Sequence, residues 1–246
     1  MIEATNTADR RVALVTGATR GIGAAVARRL AALGHHVIAV GRTEGALSEL
    51  DDAIGAAGGS ATLVPLDLRD GAAIDGLGAA IHQRWGRLDV LVGNAGVLGG
   101  LSPVSHITPK AWDEVLAVNL SANWRLIRAM EPLLRVSPAG RAVFVTSGVA
   151  RNPRPFWGAY AASKAALESL VLTWAAEVAH GPVRVNLFNP GATRTAMRAR
   201  AMPGEDPTTL PTPDAVAAVL CRLTSVDCTM NGDILQFRDI AVTDAA

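Results

Sequence analysis

The chain predicts an α/β protein of the doubly wound kind, a seven-stranded parallel sheet with helices on both faces, and three observations predict it. Short β-branched runs alternate with longer alanine- and leucine-rich stretches of helical period along nearly all of the 246 residues. The strand runs are continuously apolar and do not alternate, which suits strands buried on both faces. The first run leads through a glycine-rich turn straight into a helical stretch, the order in which the right-handed crossovers of a parallel sheet are built.

Taken in order, VALVT at 12–16 reads as the first strand and the alanine-rich 21–33 as the first helix. HVIAV at 36–40 is followed by a helix over 44–57, and ATLVP at 61–65 by one over 70–85. LDVLV at 88–92 precedes the longest helical stretch, 109–134. AVFVT at 142–146 precedes a helix over 158–180, and VRVNLF at 183–188 one over 213–224. DILQF at 233–237 reads as the seventh strand. No linker rich in Pro, Ser or Gly divides the chain, so the expectation is one domain over 1–246 with a polar N-terminal tail at 1–10 and a short polar C-terminal tail at 238–246.

Composition excludes several classes of function. The formal charge of +1 is scattered without like-signed runs and gives no basic field for nucleic acid. Cys221 and Cys228 are the only cysteines, too few for a disulfide framework and without His or Cys partners at zinc-ligand spacing, so no metal is expected. No run of some 18 apolar residues occurs and the N-terminus lacks an apolar core of signal-peptide type. These features lead us to expect a soluble, cytoplasmic protein that binds no membrane.

Two constellations carry chemistry. Between the first strand and helix, Gly17, Gly21 and Gly23 frame Thr19, Arg20 and Ile22. Such glycines make a tight turn, let the backbone approach a pyrophosphate and allow close helix–sheet packing, while the helix N-terminus attracts phosphate. The second is Tyr160, the only tyrosine, four residues before Lys164, one of two lysines in a chain that fills nearly every cationic position with arginine. Four residues apart on a helix puts phenol and ammonium on one face, where a cation favours phenolate and pulls its pKa down towards working pH.

The glycine spacing is G-x-x-x-G-x-G, and at this point the chain resembles the short-chain dehydrogenase/reductase (SDR) family, of Rossmann-type fold. The resemblance covers about residues 11–237 through ordered motifs: TGATRGIG at 16–23, Asp67, NAG at 94–96, Asn119, Ser147, YAASK at 160–164, and NPG followed by Thr195. It implies a catalytic tetrad of Asn119, Ser147, Tyr160 and Lys164. Ser147 would bond a substrate carbonyl oxygen, Tyr160 would deliver the proton as hydride reaches carbon, Lys164 would lower the tyrosine pKa and hold the nicotinamide ribose, and Asn119 would hold a relay water. Asp67 with Leu68 would meet the adenine, Asn94, Ala95 and Gly96 the adenine ribose, and Pro190, Gly191, Thr193 and Thr195 the nicotinamide. Taken singly, Asp67 also reads as a helix N-cap and the Pro-Gly pair as a plain turn. Gly93 stands where many relatives have an asparagine.

NAD-selective sites carry an acid at the end of the second strand, where this chain has Gly41, Arg42 and Thr43. With no repulsive acid and with Arg42 and Arg20 as cations, NADP(H) is the preferred cofactor and NAD(H) remains open. The segment 194–213 lies where the family places its substrate lid; Phe156, Trp157 and 97–101 suggest an apolar pocket wall, and Arg151 and Arg154 are placed to meet an anionic substrate. The pattern WGAYAASK with NPGATRTAMRA is similar to a bacterial subgroup of poorly defined oxidoreductases. The helices 109–134 and 158–180 carry apolar content beyond one stripe, and the resemblance, in which the corresponding helices make a dimer interface, implies a homodimer, with a homotetramer open. Two classes of function result: an NADP(H)-dependent carbonyl reductase or alcohol dehydrogenase acting on a small molecule, and a nucleotide-sensing protein without turnover. Four tetrad residues together favour the enzyme.

Overall fold

The computed structural model describes residues 10–241. Residues 1–9 and 242–246, most of the expected tails, lie outside the described residues. Seven parallel strands form one sheet in the order β3-β2-β1-β4-β5-β6-β7, where β1 is Val12–Thr16, β2 His36–Gly41, β3 Ser60–Pro65, β4 Val90–Gly93, β5 Arg141–Val145, β6 Arg184–Asn189 and β7 Ile234–Gln236. The order reverses between β1 and β4, so the crevice that doubly wound sheets offer to ligands opens at the C-terminal ends of these two strands.

Continuous apolarity in the strands serves two separate cores. Alternate residues point to opposite faces: Val12 and Leu14 of β1, Ile38 and Val40 of β2, and Ala142 and Phe144 of β5 pack into one cluster, while Ala13, Val15, Val37, Ala39, Val143 and Val145 pack into the other. The first face is covered by α3 (Gly71–Trp85), α5 (Ala122–Val136) and α6 (Gly158–Glu177), the second by α1 (Gly21–Ala32), α2 (Glu44–Ala56) and α8 (Pro213–Leu220). Between the described strands and helices no helix is long and apolar enough to cross a membrane.

Four departures from the expected elements have local causes. The long helix expected over 109–134 is interrupted: α4 (Pro109–Leu116) passes through a π turn at Ala117–Ser121 into α5. The helix expected over 213–224 tightens into a 3-10 turn after Leu220. A short helix, α7 (Ala196–Ala201), forms within the segment read as a lid, capped by Thr195, whose hydroxyl accepts from the Arg198 N–H at 3.2 Å. At the C-terminus, α9 (Phe237–Ala241) begins where a strand end and a polar tail were expected. Among the 3-10 turns and caps, Asp70 and not Asp67 caps α3, accepting from Ala73 N at 3.0 Å.

Candidate active site

The glycine turn is shaped by contacts that leave no room for a side chain. Gly17 and Gly21 have φ of 65° and 55°, the left-handed region that glycine enters freely. A Cβ on Gly23 would drive into the Gly17 carbonyl and the Asn94 amide. Asn94 itself is committed to this turn: its Nδ2 donates to Thr16 O at 2.9 Å, and its own N–H and that of Ala95 donate to Thr16 Oγ1 at 3.0 and 3.1 Å. Arg20 is the N-cap of α1 but caps nothing with its side chain, and no acid stands in the first turn. The first amides of α1 therefore face the cleft without a side-chain partner, an electropositive end suited to an anion.

One continuous cleft runs from this turn to Tyr160. Gly17, Thr19, Arg20, Gly21, Ile22, Arg42, Asp67, Leu68, Asn94, Ala95, Gly96, Ser147, Tyr160, Lys164, Pro190, Gly191, Thr193 and Thr195 all line it. Three expected residues do not. Gly23 is buried beneath the turn, Thr43 is the N-cap residue of α2, and Asn119 is fully buried behind the wall. Arg20 and Arg42 are exposed at the cleft and make no hydrogen bond or ion pair among the described residues. Asp67, also in the wall, is gripped by the Arg69 guanidinium, with Nη2 2.6 Å from Oδ2, which holds its carboxyl down to about 2.

At the far end of the cleft Ser147, Tyr160 and Lys164 share one wall, with Asn119 buried behind it. The Lys164 ammonium is buried and donates to the Val145 carbonyl at 2.7 Å. Burial lowers its pKa to about 8, with the Glu168 charge acting in the opposite direction. Tyr160 is 9% exposed and its phenol is pushed up to about 12 by burial, against a smaller lowering from its hydrogen bond with Ser147. The expected depression of the tyrosine pKa is thus reversed, because desolvation of the phenolate outweighs the lowering by Ser147. Trp157 stacks edge-on against Tyr160 with ring centroids 5.9 Å apart.

Asn119 departs from expectation in what it holds. Its Oδ1 accepts from Val97 N at 2.8 Å and its Nδ2 donates to Val97 O at 2.9 Å and to Ser163 Oγ at 3.0 Å, while its own carbonyl accepts from Asn123 Nδ2 at 2.8 Å. The π turn adds a residue that rotates this side chain inward, a common device at functional sites. Thr195 likewise spends its hydroxyl on the α7 cap and on Thr193 O at 3.3 Å.

The pocket beside Tyr160 is apolar: Leu98, Val149, Ala161 and Ala201 cluster with Tyr160, and Trp157 and Met202 pack against them. Of the two arginines placed for an anionic substrate, Arg154 is exposed and does not line the cleft, and Arg151 is drawn to a carboxylate. Arg151 donates from Nε to Glu168 Oε2 at 3.0 Å, and Arg198, unforeseen in the sequence, lines the cleft with both its Nε and Nη2 on Glu205. Leu98 falls within the 97–101 wall read from the sequence, whereas Glu168 was also missed. For Glu168 the signal was present, since it stands four residues after Lys164 on the same helix face.

Comparison with known proteins identifies the family. A family model described as short chain dehydrogenase matches residues 11–206. The chain is 43% identical over 206 residues to the uncharacterized oxidoreductase YciK of Escherichia coli K12, covering 82% of this chain and 81% of the relative. It superposes with a TM-score of 0.89 and 38% identity on a short chain dehydrogenase of Shigella flexneri 2a complexed with NADP, over 93% of this chain and 97% of that one. A short chain dehydrogenase of Escherichia coli CFT073 complexed with NADPH matches with a TM-score of 0.86 and 39% identity, over 93% and 96% of the two chains. With its seven-stranded sheet, its glycine turn and a family match across most of its length, the chain belongs to the short chain dehydrogenase family of oxidoreductases.

Proposed function

We propose that this protein is an NADP(H)-dependent oxidoreductase that interconverts a carbonyl compound and its secondary alcohol, with Tyr160 as the general acid/base. The observation that carries the reading is that the uncapped N-terminus of α1 opens into the same cleft as the buried Tyr160 and Lys164. The residues present fit a dinucleotide: the Gly17 to Ile22 turn would hold the pyrophosphate, Asp67 and Leu68 the adenine, Ala95 and Gly96 its ribose, and Pro190, Gly191 and Thr193 the nicotinamide end. Arg42 and Arg20 stand unpaired where a 2′-phosphate would lie, and the NADP and NADPH complexes of similar proteins support the same choice. The bound nicotinamide supplies or accepts the hydride.

The chain's own residues handle the proton. A phenol raised to about 12 keeps its proton until a stronger base appears beside it, and in reduction that base is the oxygen of the carbonyl as negative charge grows on it. Ser147 donates a hydrogen bond to the same oxygen. Lys164, lowered to about 8, carries a proton it is able to exchange near working pH, and its positive charge stabilises the phenolate left behind. The apolar wall of Leu98, Val149 and Trp157, together with the internal pairing of Arg151 and Arg198, supports an uncharged, largely apolar carbonyl substrate. A protein that only senses nucleotide has no use for an ammonium buried beside a phenol.

We also propose a homodimer formed through α4–α5 and α6, supported by Trp112 and Trp124, which are 38% and 45% exposed on these helices. Cofactor and substrate class are tested by titrating nicotinamide fluorescence with NADPH and with NADH, then offering aryl ketones, alkyl ketones and carboxylated ketones. Tighter NADPH binding and oxidation by the uncharged ketones is the expected result. Tighter NADH binding would remove the role given to Arg42, and turnover confined to carboxylated ketones would remove the apolar-substrate reading.

A further inference from the structure

At the C-terminal end of β5 three consecutive residues meet α6. The Val145 carbonyl accepts from Lys164 Nζ at 2.7 Å, Thr146 Oγ1 donates to Glu168 Oε1 at 2.7 Å, and Ser147 lies close enough to Tyr160 to lower its phenol pKa. Tyr160, Lys164 and Glu168 are spaced i, i+4 and i+8 and so occupy one helix face. The Glu168 residue is 7% exposed, and its second oxygen accepts from Arg151 Nε at 3.0 Å. A carboxylate withdrawn this far from water is tolerated only with such donors, and in the same low-dielectric surroundings its charge is felt strongly one helical turn away.

We propose that Glu168 is a positioning residue of the active site, whose carboxylate keeps the neighbouring Lys164 protonated and ties the strand end bearing Ser147 to the helix bearing Tyr160. The inference rests on the reading of Lys164 as partner of the proton donor. The charged and titratable groups that face Lys164 are few. Tyr160 and Glu168 come from its own helix, and Arg151 comes from the turn after β5 and reaches Lys164 through Glu168. Asn119 from the π turn and Gly96 from the loop after β4 approach it without charge. Desolvation favours neutral Lys164, and Glu168 is the group that acts against it.

With only Lys110 and Lys164 in the chain, protein isotopically labelled at the lysine ε carbon gives two resonances, and Lys110→Arg assigns them. In the parent protein the Lys164 resonance should titrate near pH 8. Glu168→Gln, which keeps the shape and removes the charge, should move that midpoint down by about half a unit or more, because loss of a nearby anion disfavours the ammonium. Glu168→Asp, which keeps the charge, should move it less. Arg151→Gln alters an exposed side chain, strips Glu168 of its compensating cation and should move the midpoint up. An unmoved Lys164 midpoint in folded Glu168→Gln overturns the proposal; should that variant fail to fold, an unmoved midpoint in Arg151→Gln does so alone. These titrations need no substrate, so failure of the catalytic reading, seen as retained turnover in Tyr160→Phe, is told apart from failure of this one.

Discussion

Arg42 and Lys164 line one cleft in opposite states. Arg42 is solvated and unpaired among the described residues, so its guanidinium is free to grip a phosphate, and Arg42→Ala is expected to weaken NADPH by about 10- to 100-fold, the loss of one charged hydrogen-bonding group, and NADH much less. Parallel fluorescence titrations check this; equal losses for both nucleotides would count against it. Lys164 is buried, and its pKa lies near 8 in the folded chain against 10.5 for an ordinary lysine. Below pH 8 both folded and unfolded chains hold its proton, and burial of the charge opposes folding in full. Between about 8 and 10.5 the unfolded chain binds the extra proton, so stability rises with pH and the penalty is relieved. Lys164→Met should therefore gain stability relative to the parent at pH 7, and the gain should shrink as pH rises through 8, as followed by thermal melts. Tyr160 and Lys164 were legible in the sequence because their spacing and rarity single them out. The direction of the tyrosine shift was not, since burial of a phenol is a property of packing and not of the i, i+4 pattern.

Gly93 and Asn119 show how the elements make the site. Gly93 ends β4 facing the Phe144 ring and Asn123 Oδ1, and a Cβ there would lie 2.8 Å from that oxygen and closer still to the ring. The glycine that breaks the usual asparagine pair is thus the partner of a large residue on β5. Gly93→Ala should destabilise the fold by about 1–3 kcal/mol, the usual effect of overpacking, readable in denaturant unfolding; an unchanged midpoint would mean that Phe144 yields without strain. The strands were read from apolar runs and agree with the structure to within one residue at either end, β4 excepted, which begins two residues late at Val90, where the Asp89 carboxylate takes the Val12 N–H at 2.8 Å. The π turn was invisible, because one inserted residue leaves the helical period of 109–134 almost intact, and it shows itself only in the Asn119 bonds to Val97 and Ser163. The short helix α7 was hidden among prolines and arginines that read as loop, though Thr195 and the Arg198 amide form an ordinary N-cap.

The whole molecule joins a sheet read easily from sequence to surfaces that are not. The order of β and α segments fixes a parallel sheet with its crevice above β1 and β4, and the glycine turn and the YAASK helix then fall on either side of it. The charge left free around the cleft depends instead on which arginines pair internally, and Arg151 with Glu168 and Arg198 with Glu205 are partnerships that no spacing rule predicts between a turn and a helix or within the segment 194–213. The exposed tryptophans on α4 and α5 lead to a further expectation: sedimentation should give a dimer, and Trp124→Glu a monomer, by placing a charge in the proposed interface. A parent protein that sediments as a monomer would remove that interface. The central claim is that Tyr160 is the proton donor of an NADPH-dependent carbonyl reduction, and its most direct test is a side-by-side measurement of parent and Tyr160→Phe. NADPH binding is followed by fluorescence and NADPH oxidation with a ketone that the parent reduces. The account predicts equal NADPH affinity and a fall in turnover of about 100- to 10,000-fold in the variant, since the substitution removes one oxygen and no packing volume of consequence. Turnover by Tyr160→Phe at the parent's rate would contradict it.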